Sequence, residues 1–445
     1  IFTTTLDYNS AGNKLYSRFV VTTRQGGLFV PVSNEMYITN PEALATKATG
    51  YPVRSKKGLT ADWRYSDELS SLGAGYASYE LDISRFFTAG GTNYTYNGKT
   101  YSFNSGVVTE YDVVCQKFAN AGCNVVMIIK NSFNPATADL ILPTGRVAGK
   151  NCYAFNTAEQ GGAEKIEALM SFLANRYSGS KGTIHTWIIG NEINNNSPWH
   201  YAGDMSADAF AAQYAKEFRL CYNAIKSQNA GARVFLNIDQ RWNFEDGTPN
   251  QYAAKKILDN FATNISQTGN IDWGVAWHPH PVPLTASRFW DMPASYKALH
   301  LIDHTANTRM INPTNMEVFT NYMAQPAYLS PTGQVRYIMI SEILFNSMNG
   351  GEAVQAASFA YAYKLAAQNP YIKAFIVHRM VDSPYEKASD KIACGLYNCD
   401  ANGWASTPKQ IYDVFKYIDT AQSAAYTNFA LPIIGVSSWA QLGLN

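Results

Sequence analysis

Eight short runs rich in Val, Ile, Phe, Tyr and Trp recur along this chain, and stretches of helical period separate most of them. The runs are Phe19–Thr22, Ala77–Ile83, Asn124–Ile129, Thr183–Ile189, Arg233–Ile238, Trp273–Trp277, Val335–Ile340 and Ile372–Val377. Near-continuous apolar runs of this make-up are strands covered on both faces. Amphipathic segments over 108–121, 163–177, 207–228, 252–263 and 351–368 lead into later runs, and Thr407-Pro408 opens a last helix over 409–420. Several end on helix-stop chemistry, as at Asn120-Ala121-Gly122 and Gln368-Asn369-Pro370. Strands alternating with helices give a parallel α/β fold. Eight such units predict one domain over residues 1–445: a (β/α)8 TIM barrel with its core roughly at 19–420, long βα loops and N- and C-terminal decorations. The alternative is an open doubly wound sheet, but no Gly-x-Gly-x-x-Gly follows an early strand, so a dinucleotide site is not supported.

The long segments at 83–107, 130–160, 239–251, 278–300 and 378–406 each follow a run. In a barrel these loops wall the mouth at the C-terminal ends of the strands. Asn97-Gly98, between two Thr/Tyr-rich stretches, predicts a tight hairpin in the second loop. Residues 24–75, rich in Pro, Gly and Ser, read as decoration, and the last 25 residues as packing on the outside.

Charged residues are 16% of the chain, below the usual share of about 25%. Neutral polar groups therefore carry the surface, a tendency of proteins that work outside cells. With Lys+Arg 35 against Asp+Glu 34 there is no basic footprint for nucleic acid. The longest basic run, Arg54-Ser55-Lys56-Lys57, reads as a solvated loop. No stretch reaches the ~20 apolar residues of a membrane span. The chain begins at Ile1 rather than Met, which fits a removed secretion signal and a secreted, periplasmic or cell-surface protein. None of the six cysteines has zinc-finger spacing; Cys394 and Cys399 flank a short loop that a disulfide could close.

Two runs stop abruptly at a carboxylate. One is Thr186-Trp187-Ile188-Ile189-Gly190-Asn191-Glu192; the other is Tyr337-Ile338-Met339-Ile340-Ser341-Glu342. They belong to strands four and seven, nearly opposite each other in an eight-stranded ring. Two carboxylates at one mouth are the equipment for breaking a glycosidic bond, and about 5–5.5 Å between them is what retention requires. That mechanism needs no metal and no cofactor. A lone rim Glu would instead be a salt-bridge partner. Glu80, Asp82 and Asp239 are weaker candidates for the same work.

With Asn191-Glu192 after strand four and Glu342 closing strand seven, the chain resembles clan A of the retaining glycoside hydrolases over its barrel. The resemblance implies that Glu192 is the general acid/base, with a raised pKa, and that Glu342 is the nucleophile. Asn191 would bond the sugar 2-hydroxyl. Of Trp277-His278-Pro279-His280, His278 would touch the nucleophile, with His280 the second choice. His378-Arg379 stands at the end of strand eight, where many members carry Trp. Arg379 would then bind hydroxyls or an acidic group, and Trp404 could supply the missing ring. Trp199 and Trp242, in loops of the same face, are candidate stacking platforms or plain loop packing. The implied activity is secreted, endo-acting, retaining hydrolysis of a β-linked poly- or oligosaccharide, with carbohydrate as the partner. Two other classes stay open: a non-catalytic carbohydrate-binding barrel, and a metal-dependent barrel hydrolase built on His278 and His280.

Overall fold

The computed structural model describes residues 5–52 and 54–444. Eight parallel strands close into a barrel: β1 (Lys57–Thr60), β2 (Tyr76–Asp82), β3 (Asn124–Lys130), β4 (Gly182–Ile189), β5 (Arg233–Asp239), β6 (Gly274–His278), β7 (Ile338–Ile343) and β8 (Ile372–Val377). β8 pairs with β1 and β4 with β5, so the ring has no gap. The intervening helices are α1 (Asp67–Ser71), α2 (Ser105–Asn120), α3 (Gln160–Arg176), α4 (Ala207–Lys226), α5 (Ala254–Gln267), α6 (Met316–Met323) and α7 (Gly351–Gln368), with α8 (Gln410–Tyr417) after β8. This is a (β/α)8 barrel.

The first strand is not the run the composition favoured. Thr22–Gln25 pairs antiparallel with Leu28–Pro31 in a separate, exposed hairpin, while β1 lies inside the stretch read as decoration. Lys57-Gly58-Leu59-Thr60 lacks β-branched content because its neighbours dictate other chemistry. A Cβ on Gly58 would stand 2.6 Å from Tyr76 Cβ. The Lys57 side chain is buried; its Nζ donates to the Phe415 and Lys416 carbonyls and pairs with Asp419 at 2.6 Å. The basic run is thus a tie between β1 and the end of α8, not a solvated loop. α1 and α6, also unread in the sequence, are short, five and eight residues.

The hairpin Gly91–Tyr96/Lys99–Asn104 turns at Asn97-Gly98 as expected, with φ of 53° and 73°. It lies along α3: Tyr94 bonds Ser171, and Tyr96 donates to Glu167. Cys394 and Cys399 are free thiols. Cys394 is buried against Leu344 and Ile392, whereas Cys399 lies in the antiparallel pair Tyr397–Cys399/Ala405–Pro408, so no bridge closes that loop.

Within the barrel, inward positions follow the strand period of two. Tyr76, Val126, Ile128, Ile188, Phe235, Ala276, Met339, Ala374 and Ile376 fill the interior. Stepping on by two from this layer toward the C-terminal ends reaches Gly190 and Glu192, Asn237 and Asp239, His278 and His280, Ser341, and His378. The apolar floor and the polar mouth therefore belong to one register. Glu342 is the exception. Strict alternation would turn it outward once Ser341 points in, but β7 carries an extra residue relative to β8 between Ile340 and Ile343. Such a bulge re-aims side chains, and here Ser341 and Glu342 both reach the mouth.

Candidate active site

Glu192 leaves β4 with φ of 39°, the left-handed region disfavoured for residues with a Cβ. Gly190 makes the turn possible: its φ is 79°, and a Cβ there would come 2.7 Å from His200 Nδ1. Asn237 on β5 holds the strained residue, its Oδ1 accepting the Glu192 backbone N–H. The carboxylate Oε1 lies 2.9 Å from His278 Nδ1, and Asn195 Nδ2 reaches Oε2 at 3.5 Å.

His280, not His278, is the ring beside Glu342. Its Nε2 stands 3.6 Å from Glu342 Oε1 and 3.9 Å from Glu192 Oε1. The two carboxylate oxygens therefore lie no farther apart than the sum of those distances. That bound admits the about 5–5.5 Å of a double displacement and only the lower end of the about 6.5–9.5 Å range of inversion. On its other side Glu342 Oε2 is 3.8 Å from His378 Nδ1.

The charges follow from these neighbours. Burial opposes ionisation of Glu342, but the rings of His378, His278 and His280 and the Lys130 ammonium outweigh it, holding the carboxyl at about 2. Glu192 is also held below its ordinary value, because the bond from His278 and the fields of both β6 histidines overcome burial. This is opposite to the raised pKa implied for an acid, and the cause is the short contact with His278. Burial pushes His280 down to about 4. His278 is displaced upward, Glu342 and Glu192 outweighing its burial. Burial and the charge of Glu192 push Asp239 up to about 6.

Hydrogen bonds behind the rings fix where their protons sit. Asn237 Nδ2 is 3.0 Å from His278 Nε2, and its orientation is set by its bonds to Ala276 O and from Glu192 N–H. His278 Nε2 accepts, so Nδ1 carries the proton toward Glu192. Leu344 N–H donates to His280 Nδ1, which leaves the proton on Nε2 between the two carboxylates. His278 Nδ1–H thus donates to Glu192, and the His280 Nε2–H faces both carboxylates.

The remaining candidates divide. Asn191 is buried at the strand exit. Trp199 is half-buried; the Lys130 ammonium lies 5.6 Å from its ring centroid, and it lines a cavity of about 320 Å³ with Glu80, Asp82, Lys130 and Asn151. Arg379 donates to Glu386 at 2.9 Å and lines a second cavity of about 300 Å³ with Asp62, Arg64 and Tyr79. Trp404 is exposed, its face covered by Arg64 at 4.4 Å. Trp242 is no platform: it is 1% exposed, edge-on to Phe319 and Tyr322, because its loop folds back onto α6. Glu80 pairs with Lys130 at 2.7 Å, and Asp239 exchanges bonds with Asn194, so both orient neighbours. Sequence reading missed Asn237, Ser341, Lys130 and Glu386. A polar residue two steps after an inward apolar one was the available signal for Asn237, Ser341 and Lys130; nothing local marked Glu386.

The model of a family described as "Family of unknown function (DUF5722)" matches residues 50–442. The chain belongs to this family. The match omits the exposed N-terminal hairpin and takes in the whole barrel. No curated protein matches the sequence. Among solved structures, a family 39 glycoside hydrolase from the gut symbiont Bacteroides cellulosilyticus WH2 is similar at a TM-score of 0.54 and 14% identity, covering 89% of this chain and 67% of that one. A hyperthermophilic β-glucosidase from Pyrococcus furiosus is similar at 0.53 and 12% identity, covering 84% and 87%. At such identities the likeness is one of fold.

Proposed function

We propose that the protein is a retaining β-glycoside hydrolase acting on a poly- or oligosaccharide outside the cytoplasm. The observation that carries this reading is the convergence of Glu192 and Glu342 on one histidine N–H at the barrel mouth. Glu342, kept ionised and flanked by His280 and His378, attacks the anomeric carbon. Glu192 protonates the leaving oxygen and then deprotonates the water that releases the glycosyl-enzyme. The solved glycosidases that share the fold support the same reading. Two cavities that share Tyr79 lie by the C-terminal ends of β1, β2 and β3, on the face that carries the carboxylates, and room for further sugars there supports endo action. The low charged share of the chain supports the location. Among the described residues no helix is long and apolar enough to cross a membrane.

The metal reading has one observation in its favour: donor atoms of Glu192, His278 and His280 lie within 4.8 Å of one another. The nitrogens facing that point carry protons, however, so they have no lone pair for a metal.

The test is Glu342→Ala on an activated aryl β-glycoside. Turnover is expected to fall by about four orders of magnitude, and azide is expected to restore it with formation of the inverted glycosyl azide. Wild-type rates in this variant would remove the nucleophile, and with it the proposal.

A further inference from the structure

A second set of metal-ligating side chains lies on the β8 side of the mouth. His378 follows β8, Glu386 lies on the short helix Pro384–Ser389, and Cys394 is buried beyond it. His378 Nε2 is 3.4 Å from Glu386 Oε1, and Cys394 Sγ is 3.9 Å from Glu386 Oε2. One donor atom from each lies within 4.8 Å of the others. Tetrahedral zinc, with bonds of about 2.0–2.2 Å to nitrogen and oxygen and about 2.3 Å to sulfur, sets its ligand atoms roughly 3.4–3.8 Å apart. The three side chains need little movement to meet that spacing.

The surroundings complete the case. A ligating histidine commonly gives its other N–H to a carboxylate, and a ligating carboxylate is itself hydrogen-bonded. His378 Nδ1 is buried with no hydrogen-bond partner, and the group it faces is Glu342 at 3.8 Å. Nε2–H donates to Glu386 Oε1, and among the described residues no donor stands behind Nδ1, so an entering metal can displace that proton to Nδ1. Arg379 Nη1 donates to Glu386 Oε1 at 2.9 Å and holds the carboxylate from outside.

We infer that His378, Glu386 and Cys394 form a site for a thiophilic divalent metal, zinc in the first instance. His378 binds through Nε2, Glu386 through a carboxylate oxygen and Cys394 as thiolate, its thiol proton passing to solvent as the metal enters. The three protein ligands leave a fourth position to water. The metal fixes the His378 ring with Nδ1–H toward Glu342, whatever chemistry Glu342 performs.

The whole chain, stripped with chelator under reducing conditions and titrated with cobalt(II), tests this. A thiolate-to-cobalt charge-transfer band in the near ultraviolet should grow and saturate at one equivalent. The set around Glu192 contains no sulfur and cannot produce it. The band should vanish in Cys394→Ser. Glu386→Gln, which keeps the thiol, should weaken cobalt binding about tenfold or more. No band in the wild type, a band undiminished in Cys394→Ser, or unchanged affinity in Glu386→Gln would each overturn the site.

Discussion

Two groups of histidine and carboxylate flank Glu342, and they differ in what stands behind the rings. On the β6 side, Asn237 Nδ2 and Leu344 N–H occupy the far nitrogens of His278 and His280. Each ring must then present N–H to the mouth, which suits anionic oxygens and excludes a cation. On the β8 side, His378 Nε2–H donates to Glu386 Oε1 at 3.4 Å, while its far nitrogen faces Glu342 Oε2 at 3.8 Å with no hydrogen-bond partner among the described residues, so a metal bound at Glu386 and Cys394 can displace the Nε2 proton to Nδ1. The same residue type is a donor in one place and a ligand in the other. The neighbour on the second nitrogen decides which.

The largest contrast to test is between the two carboxylates that meet these rings. Glu192→Ala should slow glycosides with poor leaving groups by about 10²–10⁴-fold, the usual worth of a general acid, and activated aryl glycosides far less. Glu386→Ala should show no dependence on the leaving group. Equal losses on both substrates in Glu192→Ala would erase the distinction.

A middle-sized effect concerns pH. The acid must be protonated in the free enzyme, so its pKa sets the basic limb of the kcat/KM profile. His278 depresses Glu192. His278→Phe removes the bond and the field of the ring, and the carboxyl should rise. The basic limb is then expected at higher pH than in the wild type, while His378→Phe, remote from Glu192, should move it less. A limb that stays put or falls in His278→Phe would show that the β6 rings do not control the acid.

The smallest effect sharpens the role of Asn237. Asn237→Ala strips the Glu192 backbone N–H and His278 Nε2 of their partner. A loss of about 1–3 kcal/mol follows from leaving such buried groups unmade, to be read from chemical denaturation. With Nε2 freed, His278 can also change tautomer. A pH profile identical to wild type would show that the tautomer is set elsewhere.

Much of this was legible without coordinates. Seven of the eight barrel strands have the doubly covered composition that names them, and Asn97-Gly98 fixed its turn. β1 was not legible, because Gly58 and Lys57 answer to Tyr76 and to the end of α8, far away in sequence. Trp242 and Trp199 look alike in a sequence; only the fold of their loops buries one and leaves the other at a cavity. His278 and His280 were both visible, but which touches Glu342 depends on the strand register.

The sequence by itself determined the alternation that makes a barrel, and it placed Glu192 and Glu342 at the ends of strands four and seven. Local pattern suffices there, since burial on both faces writes itself into composition. Tertiary structure decided the chemistry of those positions. A bulge in β7 turned Glu342 into the mouth against its own alternation. The bond from His278 held Glu192 low where an acid was expected high. Proton positions and pKa values depend on groups a few ångströms away, and which groups those are is a property of the closed barrel rather than of any segment.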